Sequence, residues 1–446
     1  MTPLYQPLDV GQRTIRLLSL NPALLEEDPI ECGFVIASLN DEPEYEALSY
    51  VWGSIEDTPT IGVGGASVSI TRNLESALRR LRRKDEERIM WIDALCINQV
   101  DTKERMHQVS QMASIYHQAT RVVVWLGEGW DGSNMAMELL RKLGDDANLH
   151  LDPSLAPCVS VDGMRLDSPV LCRNVIRLFD LPWWKRAWTV QEFVLAKDLV
   201  FQCSTSQVTG TQMYMARENF WGHGDRCCPE HKLDYRDSSL GLGLFQSFVQ
   251  PANLDIITKT RGPSYSFLET IARFSLRQVT DPRDHIYGML GLGTDEYAYL
   301  VEPDYTRSAE EVCSALAFRS VEPTGTLEFL SHVFGHHNPR LPSFILNWTG
   351  EFGWEEIYQS RLHNINLFSA SIDLAADLDI ISDAMVATPG LVFDVVVATG
   401  SNPFGRQVSQ TQSFGEFFEE LHRLANVEES TEELYAQTGD LSLVAL

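Results

Sequence analysis

Glu192 closes the run Arg186-Ala187-Trp188-Thr189-Val190-Gln191-Glu192 and is followed by Phe193-Val194-Leu195, so a carboxylate lies among bulky apolar side chains. Removing such a group from water penalises its charged form and raises its pKa, which suits it to acid–base work or to stabilising a developing cation. The same residue could instead complement a helix macrodipole or pair with Arg186. A second polar cluster, Asp93, Cys96, Asn98 and Gln99, follows the apolar Trp91-Ile92. In α/β proteins ligand sites lie beyond the carboxyl ends of strands, where this cluster falls. Cys96 could serve as a nucleophile given a nearby base, and His107 and His117 are close in sequence, but a cysteine between Leu95 and Ile97 is usually a small core hydrophobe. Asp93 and Asn98 also suit helix capping and loop-holding bonds to the backbone.

His223, Cys227, Cys228 and His231 group the residue types that hold zinc. The adjacent cysteines lack the two-residue gap of a zinc knuckle, so spacing alone assigns no metal ligand. His336-His337 is a weaker pair. There is no phosphate-binding loop of the Walker type, and Gly288-Met289-Leu290-Gly291-Leu292-Gly293 ends a helical run rather than joining strand to helix. No Gly-x-Ser-x-Gly elbow and no His-Glu-x-x-His helix occur. No cofactor is assigned from these residues.

The elements that must carry these groups alternate through the first 210 or so residues. Strands are expected at Ala47 to Gly53, Ile89 to Ile92, Arg121 to Gly127 and Leu199 to Phe201, with a hairpin from Val63 to Ile70 around Gly64-Gly65. Thr71 is placed to cap a helix with Leu74, Ala77, Leu78 and Leu81 on one face. Asp101 opens a longer helix, with Glu104 as a capping-box-like partner and an apolar stripe of Met106, Val109, Met112, Ala113 and Tyr116. Residues 130–180 are less regular, with a loop or insertion over 151–167, and a helix is expected over Trp188 to Ala196. The pattern predicts an α/β fold with a mainly parallel sheet and flanking helices over 1–214. It then turns mostly helical over 215–446, with helices at Phe267 to Leu276, His285 to Leu290 and Ala309 to Phe318. Strand-like alternation returns at 384–398 around Pro389-Gly390, and the acidic stretch 428–433 reads as a solvated helix start. No internal repeat is visible.

A chain of 446 residues with 44% hydrophobic and 10% aromatic content has material for two or three folded domains. Its 62 acidic and 35 basic residues give a net charge of −27, which repels phosphate backbones. The one basic cluster, Arg79 to Lys84, meets Asp85-Glu86-Glu87 at once, so nucleic-acid binding is disfavoured. No run approaches the ~18 apolar residues that a membrane span needs. The N-terminus shows no secretory pattern, and eight scattered cysteines do not form a disulfide framework. These features fit a cytoplasmic protein.

A family resemblance gathers the motifs. Tyr45 to Gly53, Trp91 to Gln99, Glu104-Arg105 with Gln108-Val109 and Met112, Ile115-Tyr116, Val122 to Gly127 and Arg186 to Glu192 together resemble the fungal heterokaryon-incompatibility (HET) domain over residues 45–196. Asp281 to Leu292, Pro303-Asp304-Tyr305 and Leu341-Pro342-Ser343-Phe344 with Trp348 resemble the region that commonly follows it. That resemblance implies non-self recognition after hyphal fusion and programmed cell death. The family is also distantly similar to TIR domains, whose first strand, Val-rich strand and Trp-Cys-x-x-Glu segment occur in the order seen here in Ser49-Tyr50, Val122 to Leu126 and Trp188 to Glu192, with Thr189 in place of the cysteine. In NAD-cleaving TIR enzymes that glutamate supports loss of nicotinamide, so the resemblance implies Glu192 as the catalytic carboxylate, NAD as substrate, and Ser49, Tyr50, Trp52, Asp93, Cys96, Asn98 and Trp188 around the pocket. Two alternatives stay open. One is a non-enzymatic module that binds itself or a protein partner; the other is a small-molecule enzyme of a secondary-metabolite pathway.

Overall fold

A computed structural model of the chain describes residues 4–228, 239–259, 266–293, 301–332 and 338–349, with 379–382 and 385–387. The chain divides into two compact units, Met1–Phe352 and Gly353–Leu446. In the second, the described residues form an antiparallel pair, Asp379–Ser382 against Met385–Ala387. The expected turn at Pro389-Gly390 and the acidic stretch 428–433 lie outside the described residues.

The first unit is organised on a sheet of nine strands. They are β1 (Thr14–Leu20), β2 (Glu31–Ser38), β3 (Glu46–Tyr50), β4 (Thr60–Val63), β5 (Ala66–Ser69), β6 (Arg88–Trp91), β7 (Arg121–Trp125), β10 (Leu199–Cys203) and β11 (Ser206–Thr209); β8 (Ser160–Val161) and β9 (Met164–Arg165) form a separate small hairpin. Between them run helices α1 (Arg72–Leu81), α2 (Asp93–Cys96), α3 (Thr102–Gln118), α4 (Ser133–Asp145), α5 (Pro169–Phe179), α6 (Trp188–Val194) and α7 (Gly210–Arg226).

The sheet order is β11-β10-β7-β3-β6-β1-β2-β4-β5. The block β10-β7-β3-β6 is parallel throughout. From β3 the chain passes to β6 on one side, then crosses back to β7 and β10 on the other. This is the doubly wound order, and its reversal sets a switch point between β3 and β7, beyond whose carboxyl ends α/β sheets place their ligand sites. Antiparallel pairs extend the block: β1 on β6, β2 on β1, β5 on β4 and β11 on β10, with β4 parallel to β2. β7 shows why the centre is parallel: Val122, Val123, Val124 and Trp125 are all buried, as a strand covered on both faces requires.

Local signals account for several elements. Gly64 and Gly65 take φ values of 59° and 82°, which lets a two-residue turn join β4 to β5. Thr71 caps α1 by accepting from the Leu74 amide at 3.4 Å, and Leu74, Ala77, Leu78 and Leu81 are buried. Asp101 caps α3 through the Lys103 and Glu104 amides. Glu104 does not close the expected box. Its carboxylate accepts from the Asn98 amide at 2.7 Å and pairs at 2.8 Å with Arg16, a cation buried in the middle of β1 that needs a counter-charge.

The buried face of α3 also differs from the expected stripe. Gln108, Gln111, Met112, Ile115 and Tyr116 face the core, while Met106, Val109 and Ala113 are half-buried. The polar residues are accommodated by bonds from Gln108 Nε2 to the Thr14 carbonyl and between Gln111 and His107. Residues 130–180 are more regular than their composition suggests. Gly132 at φ 94° starts α4, and Pro169 occupies the first turn of α5, where its missing N–H costs nothing. Among the described residues no helix is long and apolar enough to cross a membrane.

Candidate functional site

β3 ends in Ser49 and Tyr50 at the switch point, paired in parallel with Val124 and Trp125 of β7. Behind them the tight turn Pro182–Lys185 delivers Trp183 and Trp184 into the core and sets the start of α6. Thr189 stabilises that junction by donating to the carbonyls of Trp183 and Arg186. One turn further along, α6 points Glu192 back at β3, where it is only 5% exposed.

The Ser49 hydroxyl donates to Glu192 Oε2 and accepts from the Trp183 indole N–H at 2.7 Å. An indole nitrogen can only donate, so this contact directs the single Ser49 proton to the carboxylate. Burial raises the Glu192 pKa to about 7; the Arg186 charge and the Ser49 bond oppose that rise, and Asp93 adds to it. Arg186 itself donates to the Tyr50 carbonyl. It acts on Glu192 through its field, with no ion pair between the two among the described residues.

Asp93 follows β6 and completes the cluster. Its carboxylate accepts from the Trp52 indole at 2.8 Å and from the Ala94 amide at 2.7 Å, and its backbone carbonyl accepts from Gln99. Burial raises the Asp93 pKa, against the Trp52 bond and the Arg186 charge. The Tyr50 hydroxyl is buried and interacts with both carboxylates, most closely with Asp93, though among the described residues no hydrogen bond of ordinary geometry is made. Two raised carboxyls, a buried phenol that interacts with Asp93 and a nearby guanidinium form a desolvated site able to exchange protons or to face a cation.

The structure therefore brings together Ser49, Tyr50, Trp52, Asp93 and Glu192. Cys96 lies behind them, fully buried, its thiol pushed up to about 12 by desolvation, which leaves it without thiolate character near neutral pH. The Cys96 carbonyl accepts from Arg16, and the Asn98 amide bonds to Glu104, so both residues belong to the Arg16–Glu104 network. Trp188 turns away from Ser49 and donates to Asp284 at 3.1 Å. Trp183 was not singled out from sequence. Its neighbour Trp184 gives the same aromatic signal, and nothing local shows which of the two indoles reaches β3. Of the cysteine–histidine group, His223, Cys227 and Cys228 meet in space, whereas His231 and His336-His337 lie outside the described residues.

The chain carries a heterokaryon-incompatibility (HET) domain: the family model matches residues 45–192, a span that begins just before β3 and ends on Glu192. It is 31% identical over 340 residues to heterokaryon incompatibility protein 6, OR allele, of Neurospora crassa, a match covering 66% of this chain and 49% of that protein. The chain thus spans about half the length of the curated relative it matches. No solved structure matches it significantly.

Proposed function

We propose that the chain acts in heterokaryon incompatibility, in non-self recognition leading to cell death, and that its Glu192 site does so by cleaving NAD. The observation that carries the reading is the desolvated Glu192 carboxylate, oriented by Ser49 at the carboxyl end of β3. Breaking the nicotinamide–ribose bond sends the bonding pair to nicotinamide and leaves an oxocarbenium-like cation on ribose. A fixed carboxylate in a dry site stabilises that charge without reorganising. Water then adds to the ribose carbon and loses its proton, so NAD and water yield ADP-ribose, nicotinamide and a proton. The order of Ser49-Tyr50, the Val-rich β7 and Trp188 to Glu192, shared with NAD-cleaving TIR enzymes, supports the assignment.

The depth of Glu192 favours a second reading, a non-enzymatic module whose carboxylate only fixes α6 to β3 and whose work is binding itself or a protein partner. One experiment separates them. Concentrated purified chain is incubated with NAD, and nicotinamide release is followed beside Glu192→Gln. The proposal expects release by the wild type, rising with pH through about 7 as Glu192 ionises, and a loss of about 10²–10³-fold in the variant. No release by the assembled wild type overturns the enzymatic reading. Equal release by both proteins removes Glu192 from its role.

A further inference from the structure

α7 ends in a group of nitrogen and sulfur atoms for which the HET site has no use. His223 and Cys227 are four residues apart and share one face of the helix, with His223 Nδ1 3.0 Å from Cys227 Sγ. The helix stops at Arg226, and beyond its last turn Cys228 Sγ lies 3.7 Å from Cys227 Sγ. The departure from helical geometry removes the objection that adjacent side chains diverge. The fourth member comes from the loop after α4, where His150 Nδ1 stands 3.3 Å from Cys227 Sγ and 3.8 Å from Cys228 Sγ. All four candidate ligand atoms lie within 4.8 Å of one another.

We propose that His150, His223, Cys227 and Cys228 form a structural zinc site. With Zn–S of about 2.3 Å and Zn–N of about 2.0–2.1 Å, a tetrahedral ion separates two sulfurs by about 3.8 Å and a sulfur from a nitrogen by about 3.5 Å. The observed sulfur–sulfur distance of 3.7 Å lies beside the first value, and the sulfur–nitrogen distances of 3.0, 3.3 and 3.8 Å bracket the second. The outer contacts are also in place. His223 Nε2 lies 2.8 Å from the Ala147 carbonyl; an N–H donated there leaves the Nδ1 lone pair for the metal. The His150 backbone is fixed through its amide to the Pro157 carbonyl and its carbonyl to the Val159 amide.

Two thiolates balance the charge of the ion, and a tetrahedral S2N2 set selects zinc among common divalent metals. With four protein ligands the coordination is closed, which makes the role structural: the ion ties the loop after α4 to the end of α7. Sequence spacing could not reveal it, because His150 is 73 residues before His223 (223 − 150 = 73).

The test uses the full chain purified under reducing conditions. Elemental analysis is expected to find about one zinc per chain, and cobalt added after chelation should give the visible bands of a tetrahedral thiolate site. Cys227→Ser and His150→Ala should each weaken metal binding by at least ~10-fold, and chelation should lower the melting temperature of the wild type but not of the variants. Failure of the reduced wild type to take up either zinc or cobalt overturns the site. So does uptake that is unchanged in both variants. Because the cobalt spectrum is read on the wild type, a variant that fails to fold does not blunt the result.

Discussion

Glu192 keeps its proton up to about pH 7 in the folded chain because burial penalises the anion more than Ser49 and Arg186 relieve it. The sign of the linkage follows. The folded pKa lies above the unfolded value of 4.5, so the native state binds the proton more tightly; this contribution is complete below 4.5 and is lost as pH rises through about 7. The full loss corresponds to ~3 kcal/mol. Glu192→Gln is therefore expected to flatten the stability profile, gaining most over wild type at pH 8 and least at pH 5, as denaturant titrations at the two pH values would show. Ser49→Ala strips the carboxylate of a bond that lowers its pKa and leaves the Trp183 N–H without its acceptor. The expected outcome is a cost of about 1–3 kcal/mol and an upward move in the pH midpoint of any nicotinamide release. Glu192 was legible in the sequence because a carboxylate amid apolar neighbours is conspicuous within one helix turn. Its orientation was not, since it is held by Ser49, 143 residues away (192 − 49), which is itself positioned by the Trp183 indole.

The β1–α3 junction rests on charge. Arg16 is 1% exposed, and it donates to the Cys96 carbonyl at 2.6 Å, the Gln6 carbonyl at 2.8 Å and Glu104, with its guanidinium 4.8 Å from the centre of the Tyr5 ring. Removing one member of a buried pair strands the other charge, whereas removing both need not. Glu104→Gln is thus expected to destabilise by about 3–5 kcal/mol, and Arg16→Met combined with Glu104→Gln to recover a large part of that; a double-mutant cycle by urea unfolding measures the difference. The same pair explains which elements could be read in advance. α1 and the β4–β5 hairpin follow local rules, helical spacing and a Gly-Gly turn; α1 forms where expected, and the hairpin turns at Gly64-Gly65 as expected but opens at Thr60 rather than Val63. β1 carries an arginine in its buried middle, so its pattern resembles no half-buried strand until Glu104 and the Cys96 carbonyl are known to face it. The apolar face of α3 was displaced for the same kind of reason: Gln108 finds its partner on β1.

The segment downstream of the family match acts as a clamp on the helix that carries Glu192. Arg277 donates to the Trp184 carbonyl, the Ala187 amide bonds to the Gln278 carbonyl, and Asp284 holds both the Trp188 indole and the Tyr305 hydroxyl. Gln191, next to Glu192, accepts from the Gly291 amide at 3.1 Å. Gly291 is the tightest point of this contact. A Cβ placed there would lie 2.3 Å from Ala113 Cβ on α3 and 3.1 Å from the Gln191 side-chain amide. Neither a helix methyl nor the backbone behind it can yield as a long side chain would, so Gly291→Ala must push the segment off α3 and disturb Gln191. The expected cost is about 1–3 kcal/mol. Ala113→Gly removes the methyl in the way but costs ~1 kcal/mol itself in mid-helix. In the double variant the clash is gone and the second penalty remains, so the two changes together should cost less than their sum by about 0.5–3 kcal/mol. Strict additivity in denaturant unfolding would show that the segment does not rest on α3 at this point, and the clamp on α6 would then have to be carried by Arg277, Gln278 and Asp284.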